Sequence, residues 1–385
     1  MRSAKESSFS RNADLSLTDK IKRLSWTYIL LIGLLACTGF VVLYAAANGS
    51  WTPWASKQAV RFACFIPVLL AVALIDIRFW FRYAYVVYAA GVLALVYVGL
   101  FGHVGMGAQR WIDLGVVQIQ PSELAKIGVI LALSRYFHGA TLQETGTFSY
   151  MAVPALLLAL PCALIFSQPD LGTTLHTIFV GVALFFLAGV QMWKFMAAGG
   201  AILVSLPVFW HFLKDYQKER VLTFLDPERD PLGKGYHILQ SKITLGSGGV
   251  FGKGFLQGTQ SRLNFLPEKH TDFIFTVWAE EFGLIGSAGL LFLFLVVIFY
   301  GYYIAFKSTN FFGRFLAIGL SFNLFLYVVV NTGMVMGLLP VVGTPLPMVS
   351  YGGTAMLTLM VSFGLIESVN VHQNIEIGRR GSYEN

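Results

Sequence analysis

The sequence predicts an all-α polytopic membrane protein, and three observations predict it. Hydrophobic residues make up 56% of the 385 and charged residues 12%, about half the charge fraction of a soluble domain. Mean hydropathy is +0.67. Apolar runs of about 20 residues, the length that matches a bilayer's hydrocarbon core, recur from end to end, so the chain reads as one membrane domain.

Bounding the apolar windows by charge, Pro and Gly gives about ten spans, at 26–47, 57–75, 83–101, 122–138, 150–166, 171–189, 195–213, 274–305, 315–338 and 348–369. The eighth is long enough to tilt or to run past the bilayer. With the N-terminus in the cytoplasm, 14 of the 27 Lys/Arg fall inside and only Lys57, Arg61, Arg110 and Lys126 fall in short outer loops and adjoining helix ends. That asymmetry is the positive-inside pattern, and it puts both termini in the cytoplasm. The division is a cytoplasmic tail at 1–25, mostly disordered, a transmembrane domain at 26–369, and a second cytoplasmic tail at 370–385. A long outer loop, 214–273, separates the seventh and eighth spans. The polar start lacks the short apolar region and small-residue cleavage site of a removable signal peptide.

The net charge of +7 orients the chain; it forms no compact basic domain that could hold nucleic acid. Cys37, Cys64 and Cys162 all lie in apolar runs without a CxxC pair, and read as buried thiols, not as a metal or disulfide framework. No internal repeat of the carrier type is visible.

Ionisable residues near membrane spans are costly and mark functional sites by default, and here they gather on the outer side. Gln109-Arg110-Trp111-Ile112-Asp113 precedes the fourth span, which opens with Gln120-Pro121-Ser122-Glu123-Leu124-Ala125-Lys126. Glu123 and Lys126, three apart, share a helix face and can pair, either to carry the helix into the membrane or to serve a site. Gln168-Pro169-Asp170 reads as a helix start. In the long loop, Gly235 to Ile243 has helical apolar spacing and suits an interfacial helix. The run from Gly246 to Gly258 lacks P-loop spacing; it reads as flexible turns or as a backbone cradle for phosphate. The segment Leu266-Pro267-Glu268-Lys269-His270-Thr271-Asp272 ends where a polar loop meets an apolar helix. Asp272 there is an N-cap or a partly desolvated base. Glu280 and Glu281 are expected to face inward. Pro and Gly between Asn331 and Ala355 imply irregular backbone at membrane depth, lining a site or packed in protein.

Taken together, Arg110-Trp111-Ile112, Pro121-Ser122-Glu123-Leu124-Ala125-Lys126, Gln168-Pro169-Asp170-Leu171-Gly172-Thr173, His270-Thr271-Asp272-Phe273-Ile274-Phe275 and the Gly337-to-Thr354 run resemble the SEDS family (shape, elongation, division and sporulation) of membrane glycosyltransferases. Gly258 to Glu268 and Asp226 to Gly233 resemble its elongation members more than its division members. The resemblance spans about Trp26 to Ile366. It implies polymerisation of lipid II into β-1,4-linked glycan with inversion and release of undecaprenyl diphosphate. It implies an essential Asp at Asp272, taken as the catalytic base with Glu123 as the rival carboxylate. Arg110, Glu123, Lys126, Lys242, Lys269 and His270 are the substrate-binding candidates. The sequence shows no certain cofactor, though a divalent cation could share the leaving-group role. The implied partners are lipid II, the growing glycan strand, membrane lipids and a class B penicillin-binding protein, at the outer face of the cell membrane. The alternatives are a lipid II flippase and a non-catalytic scaffold.

Overall fold

The computed structural model describes residues 15–105, 108–113, 118–212, 215–229, 234–263 and 268–378. It is mostly helical, and ten long helices carry labels here. They are α1 (Trp26–Ala46), α2 (Trp54–Leu74), α3 (Ile77–Phe101), α4 (Pro121–Phe137), α5 (Phe148–Ser167), α6 (Leu171–Leu187), α7 (Met192–Phe212), α8 (Ile274–Lys307), α9 (Phe311–Val335) and α10 (Gly353–Val371). Seven of them, α1 to α3, α5 and α8 to α10, are long and apolar enough to cross a membrane, as an integral membrane protein requires.

α4 and α6 are shorter, and for α4 the reason is physical. Each has 17 residues, about 26 Å of helix. All of α4 is buried except Leu124, Arg135 and Tyr136. A helix wrapped by other helices need not match the full thickness of the lipid. α4 packs on α3, α5, α6, α9 and α10, while α9 packs on α4, α6, α8 and α10. These two helices form the centre of the bundle. Small residues bring α3 and α4 together backbone to backbone, as in membrane bundles generally: a Cβ on Gly128 would stand 2.9 Å from Tyr88 Cα.

Four sequence expectations are corrected. The fold is not purely α: the loop before α4 forms a small antiparallel sheet, β1 (His103–Gly105), β2 (Ala108–Asp113) and β3 (Gln118–Ile119), in that order. His103 pairs with Trp111, and Ile112 with Ile119. Short extended segments of this kind carry no hydropathy signal. The tail contains a helix, Leu17–Arg23, capped by Ser16 and fastened by Lys20 Nζ to the Leu74 carbonyl at 2.9 Å; residues 1–14 lie outside the described residues. The last helix starts at Gly353, because Met348 to Gly352 is held in irregular form. There Gln58 Nε2 donates to the Ser350 carbonyl (2.9 Å) and Tyr351 N to the His270 carbonyl (2.9 Å). Of the thiols, Cys162 is buried but Cys37 and Cys64 are exposed on the bundle's surface, which a weakly polar side chain tolerates.

The long loop is structured where it is described. Helices Asp215–Leu225, Lys234–Ser247 and Thr259–Arg262 occupy it, and the second, foreseen from its apolar spacing, docks on α8 and α9. The glycine run is neither loose nor a phosphate cradle. α8 is interrupted at Gly283 (φ 66°), which opens the two i→i−4 bonds that Leu284 and Ile285 would otherwise make. Both amides instead donate to the glycine loop, at Gly249 O (3.0 Å) and Val250 O (3.1 Å). The released carbonyls of Glu280 and Glu281 accept from Lys253 N (3.0 Å) and Gly254 N (3.0 Å). These four groups released by the break are all met, as an apolar setting demands. Gly252 (φ 81°) touches this seam so closely that a Cβ would strike the Glu281 carbonyl.

At the other end, His138 caps α4. Its Nδ1 accepts from Phe312 N (3.1 Å) and its Nε2 faces the Ile377 carbonyl at 3.0 Å, so the neutral tautomer with hydrogen on Nε2 fits both partners. Asn310, the N-cap of α9, donates to the Ile375 carbonyl at 3.1 Å.

The seam at Gly283 predicts a contrast between two glycines. Gly252→Ala should lower stability by at least about 2 kcal/mol, from clash and left-handed strain together. Gly246→Ala, in a helix with nothing within 4 Å of the new methyl, should be neutral or stabilising by up to about 1 kcal/mol. Thermal unfolding of the two variants in detergent reads the difference.

Candidate active site

The N-terminus of α4 carries Glu123 and Lys126 into the centre of the bundle, where both are buried. Lys126 Nζ donates to Glu123 Oε1 at 2.8 Å. Tyr327 of α9 completes a triad, hydrogen-bonded through its hydroxyl to both Lys126 Nζ and Glu123 Oε2. The ammonium also lies 4.3 Å from the Tyr327 ring centroid, a favourable cation–π position. His176 of α6 packs against Tyr327, with ring centroids 4.4 Å apart and the planes tilted by 55°, and its Nε2 lies 2.9 Å from Asn323 Oδ1.

Four residues along α9 from Tyr327, one turn or roughly 6 Å, stands Asn331. Its Nδ2 donates to the Asp272 carbonyl (2.9 Å) and to the Thr344 carbonyl (2.7 Å). The segment Glu268 to Phe273 is fastened on its other side by Ser350, whose Oγ donates to the Thr271 carbonyl at 2.6 Å. The Asp272 main chain is therefore fixed while its carboxylate is not: no described residue hydrogen-bonds it. Asp272 does not cap α8, whose N-cap is Phe273 without a side-chain hydrogen bond. The carboxylate lies against Gly343, where a Cβ would come within 3.3 Å of Oδ2. Burial first, and the neighbouring Glu268 second, push its pKa up to about 6.

Arg110 of β2 donates to the Gln168 carbonyl (3.3 Å) and the Pro169 carbonyl, and lies 3.7 Å from Asp170. Asp170 is the helix start the sequence suggested: it caps α6 through Thr173 N at 3.2 Å. The next turn of α6 packs on this site, since a Cβ on Gly172 would collide with Val342, beside Gly343.

The structure thus gathers Glu123, Lys126 and Asp272 around one stretch of α9, with Arg110 bound to the end of α6 that packs beside Gly343. The other candidates lie elsewhere. Lys269 is buried and donates to the Ser261 carbonyl at 2.7 Å, a loop fastening rather than an open cation. His270 stacks on Trp54, 4.4 Å between centroids and 7° from parallel. Lys242 is exposed beside Gly337 at the end of α9. Tyr327, His176 and Asn323 were missed. His176, an ionisable group inside an apolar helix, was findable by the rule that flagged Glu123; a lone Tyr or Asn in an apolar run gave no such signal. Among the described residues, no three His, Cys, Asp or Glu side chains converge as metal ligands. No step is routed through a divalent cation.

The class of protein is settled by comparison. The chain matches the family described as "Cell cycle protein" (FTSW_RODA_SPOVE) over residues 21–375, and it belongs to that family. The peptidoglycan glycosyltransferase MrdB of Escherichia coli K12 is 42% identical over 363 residues, covering 93% of this chain and 96% of the relative. Among solved structures, a chain of a peptidoglycan synthase complex that coordinates polymerization and crosslinking superposes with a TM-score of 0.79 at 31% identity, covering 90% of this chain and 97% of its own. The rod shape determining protein RodA of Thermus thermophilus gives 0.68 at 28% identity, with 91% and 97% covered.

The triad predicts non-additive energetics. Lys126→Met leaves Glu123 charged and buried, and should cost about 3–5 kcal/mol. Adding Glu123→Gln to it should restore a large part of that loss. A thermal-unfolding double-mutant cycle in detergent tests this; additive losses would contradict the buried pair.

Proposed function

We infer that this chain is a peptidoglycan glycosyltransferase that polymerises lipid II into β-1,4-linked glycan during cell elongation. One observation carries the catalytic assignment: Asp272 is fixed by its main chain, raised in pKa, and free of hydrogen bonds to described residues at its carboxylate. Glu123, the rival, has both oxygens committed to Lys126 and Tyr327. A base must be able to receive a proton, so Asp272 takes that role and Glu123 holds Lys126 in place.

The donor's anomeric bond to diphosphate is α and the product bond is β, so the displacement inverts. Asp272 removes the proton of the acceptor hydroxyl as that oxygen attacks the anomeric carbon. The bond to diphosphate breaks, and undecaprenyl diphosphate leaves. Positive charge on the same face, Lys126 with Arg110 behind it, orients and steadies the diphosphate. Of the remaining cations, Lys242 is exposed at the end of α9, away from this cluster, while Lys269 and His270 support the loop.

In this reading α4, α6 and α7 join the seven long helices as ten spans with both termini cytoplasmic, 214–273 is an outer loop, and the site faces the extracytoplasmic side of the cell membrane. The match to a chain from a synthase complex supports a class B penicillin-binding protein as partner.

The pH dependence follows from the base role. Asp272 works deprotonated, so the rate should rise with pH through about 6 and level off above it. Measuring kcat/KM for fluorescent lipid II, with the partner present, reads this limb. A limb near the ordinary carboxylate value, about 4, would contradict the buried setting. Asp272→Asn should abolish polymer on a gel; lipid II movement across liposomes without any polymer would point to a flippase instead.

A further inference from the structure

Glu280 lies in the first turns of α8, with 0% of its surface exposed, and the reaction above makes no use of it. Its carboxylate is nevertheless among the most heavily bonded groups described. Oε1 accepts from Lys253 Nζ (2.7 Å), from Gln260 N (2.9 Å) and, at 3.5 Å, from Thr259 Oγ1. Oε2 accepts from Ser261 N at 3.0 Å. Gly258, the N-cap of the short helix Thr259–Arg262, offers no side-chain cap. Glu280 supplies it from another element, meeting two of that helix's free amides with a negative charge.

The same helix is the anchor of the catalytic loop. The carbonyl of Ser261, whose amide binds Glu280, accepts from Lys269 Nζ at 2.7 Å. Lys269 stands three residues before Asp272. A continuous set of bonds therefore runs from Glu280 through Ser261 to Lys269 and into the segment that presents the carboxylate. Burying a charge this deeply is costly unless it is well paired, and a neutral residue could pack α8 without it. Its pairing is spent on this loop. Lys253, the other partner, belongs to the glycine loop that fills the break at Gly283, so the seam and the site share one knot.

We propose that Glu280 is a positioning residue for Asp272, acting through Ser261 and Lys269 to hold the base at its working place. The proposal rests on Asp272 as the base. It acts on the chemical step, because Glu280 touches no member of the Lys126 triad assigned to the diphosphate.

The test uses the full chain with its partner and fluorescent lipid II. Glu280→Gln should lower kcat tenfold or more while KM stays within twofold; a purely structural role would instead reduce the amount of folded protein without that split. Glu280→Asp keeps the charge but draws it back by one carbon, and should lower kcat severalfold with KM unchanged; it decides the matter if Glu280→Gln does not accumulate. Lys269→Met should lower kcat similarly, and the Glu280→Gln/Lys269→Met double variant should be no slower than the slower single, since both break one path. Rates within twofold of the parent for the Glu280 variants, or losses that multiply in the double, would overturn the proposal. Asp272→Ala separates the two readings: polymer from that variant sinks the base assignment itself, whereas an inactive Asp272→Ala beside fully active Glu280 variants sinks only the role of Glu280.

Discussion

Asn331 has two amide hydrogens, and both go to main-chain carbonyls, those of Asp272 and Thr344. The side chain is completely buried. Without it, two carbonyls from irregular segments would lie unmet inside an apolar bundle, each at a cost of about 1–3 kcal/mol. Irregular backbone is tolerated at that depth only when something satisfies it. Asn331 is that something, and by the same act it joins the loop carrying Asp272 to the helix carrying Tyr327. The two halves of the site are thereby held on a single helix.

The two acidic residues of the site show how much a carboxylate's surroundings decide its use. Glu123 sits beside an ammonium and a hydroxyl that both bond it. Asp272 sits against a glycine backbone with Glu268 as its charged neighbour. One environment stabilises negative charge and the other resists it. Their difference in role follows from partners contributed by other helices and loops, not from the residue types.

What the sequence made legible follows the same division. Spans, the helix at Lys234–Ser247, the Glu123–Lys126 pairing and the cap at Asp170 all depend on residues a few positions apart, and local spacing is what a sequence displays. Tyr327 stands about two hundred residues from Glu123, and nothing local connects them. Lys269 looked like a free cation because charge is visible in a sequence, whereas the Ser261 carbonyl that receives it is not. The glycine run was misread for a related reason. Its composition signals freedom, yet its purpose is contact, since only residues without side chains fit against an opened helix. Asp272 stood out as a charge at an apolar edge; its release from capping became visible only with the start of α8 in place.

The bonds of His138 and Asn310 give the central helices a mechanical character. α4 and α9 are pinned at one end by an imidazole between Phe312 and Ile377, and toward the other by the Tyr327 triad. Sliding one past the other would break an anchorage at each end, so the pair behaves as a single strut. Room for a growing polymer must then come from the parts around it. The residues that follow α10, with the carbonyls of Ile375 and Ile377 bound to Asn310 and His138, are a buckle that keeps the strut closed.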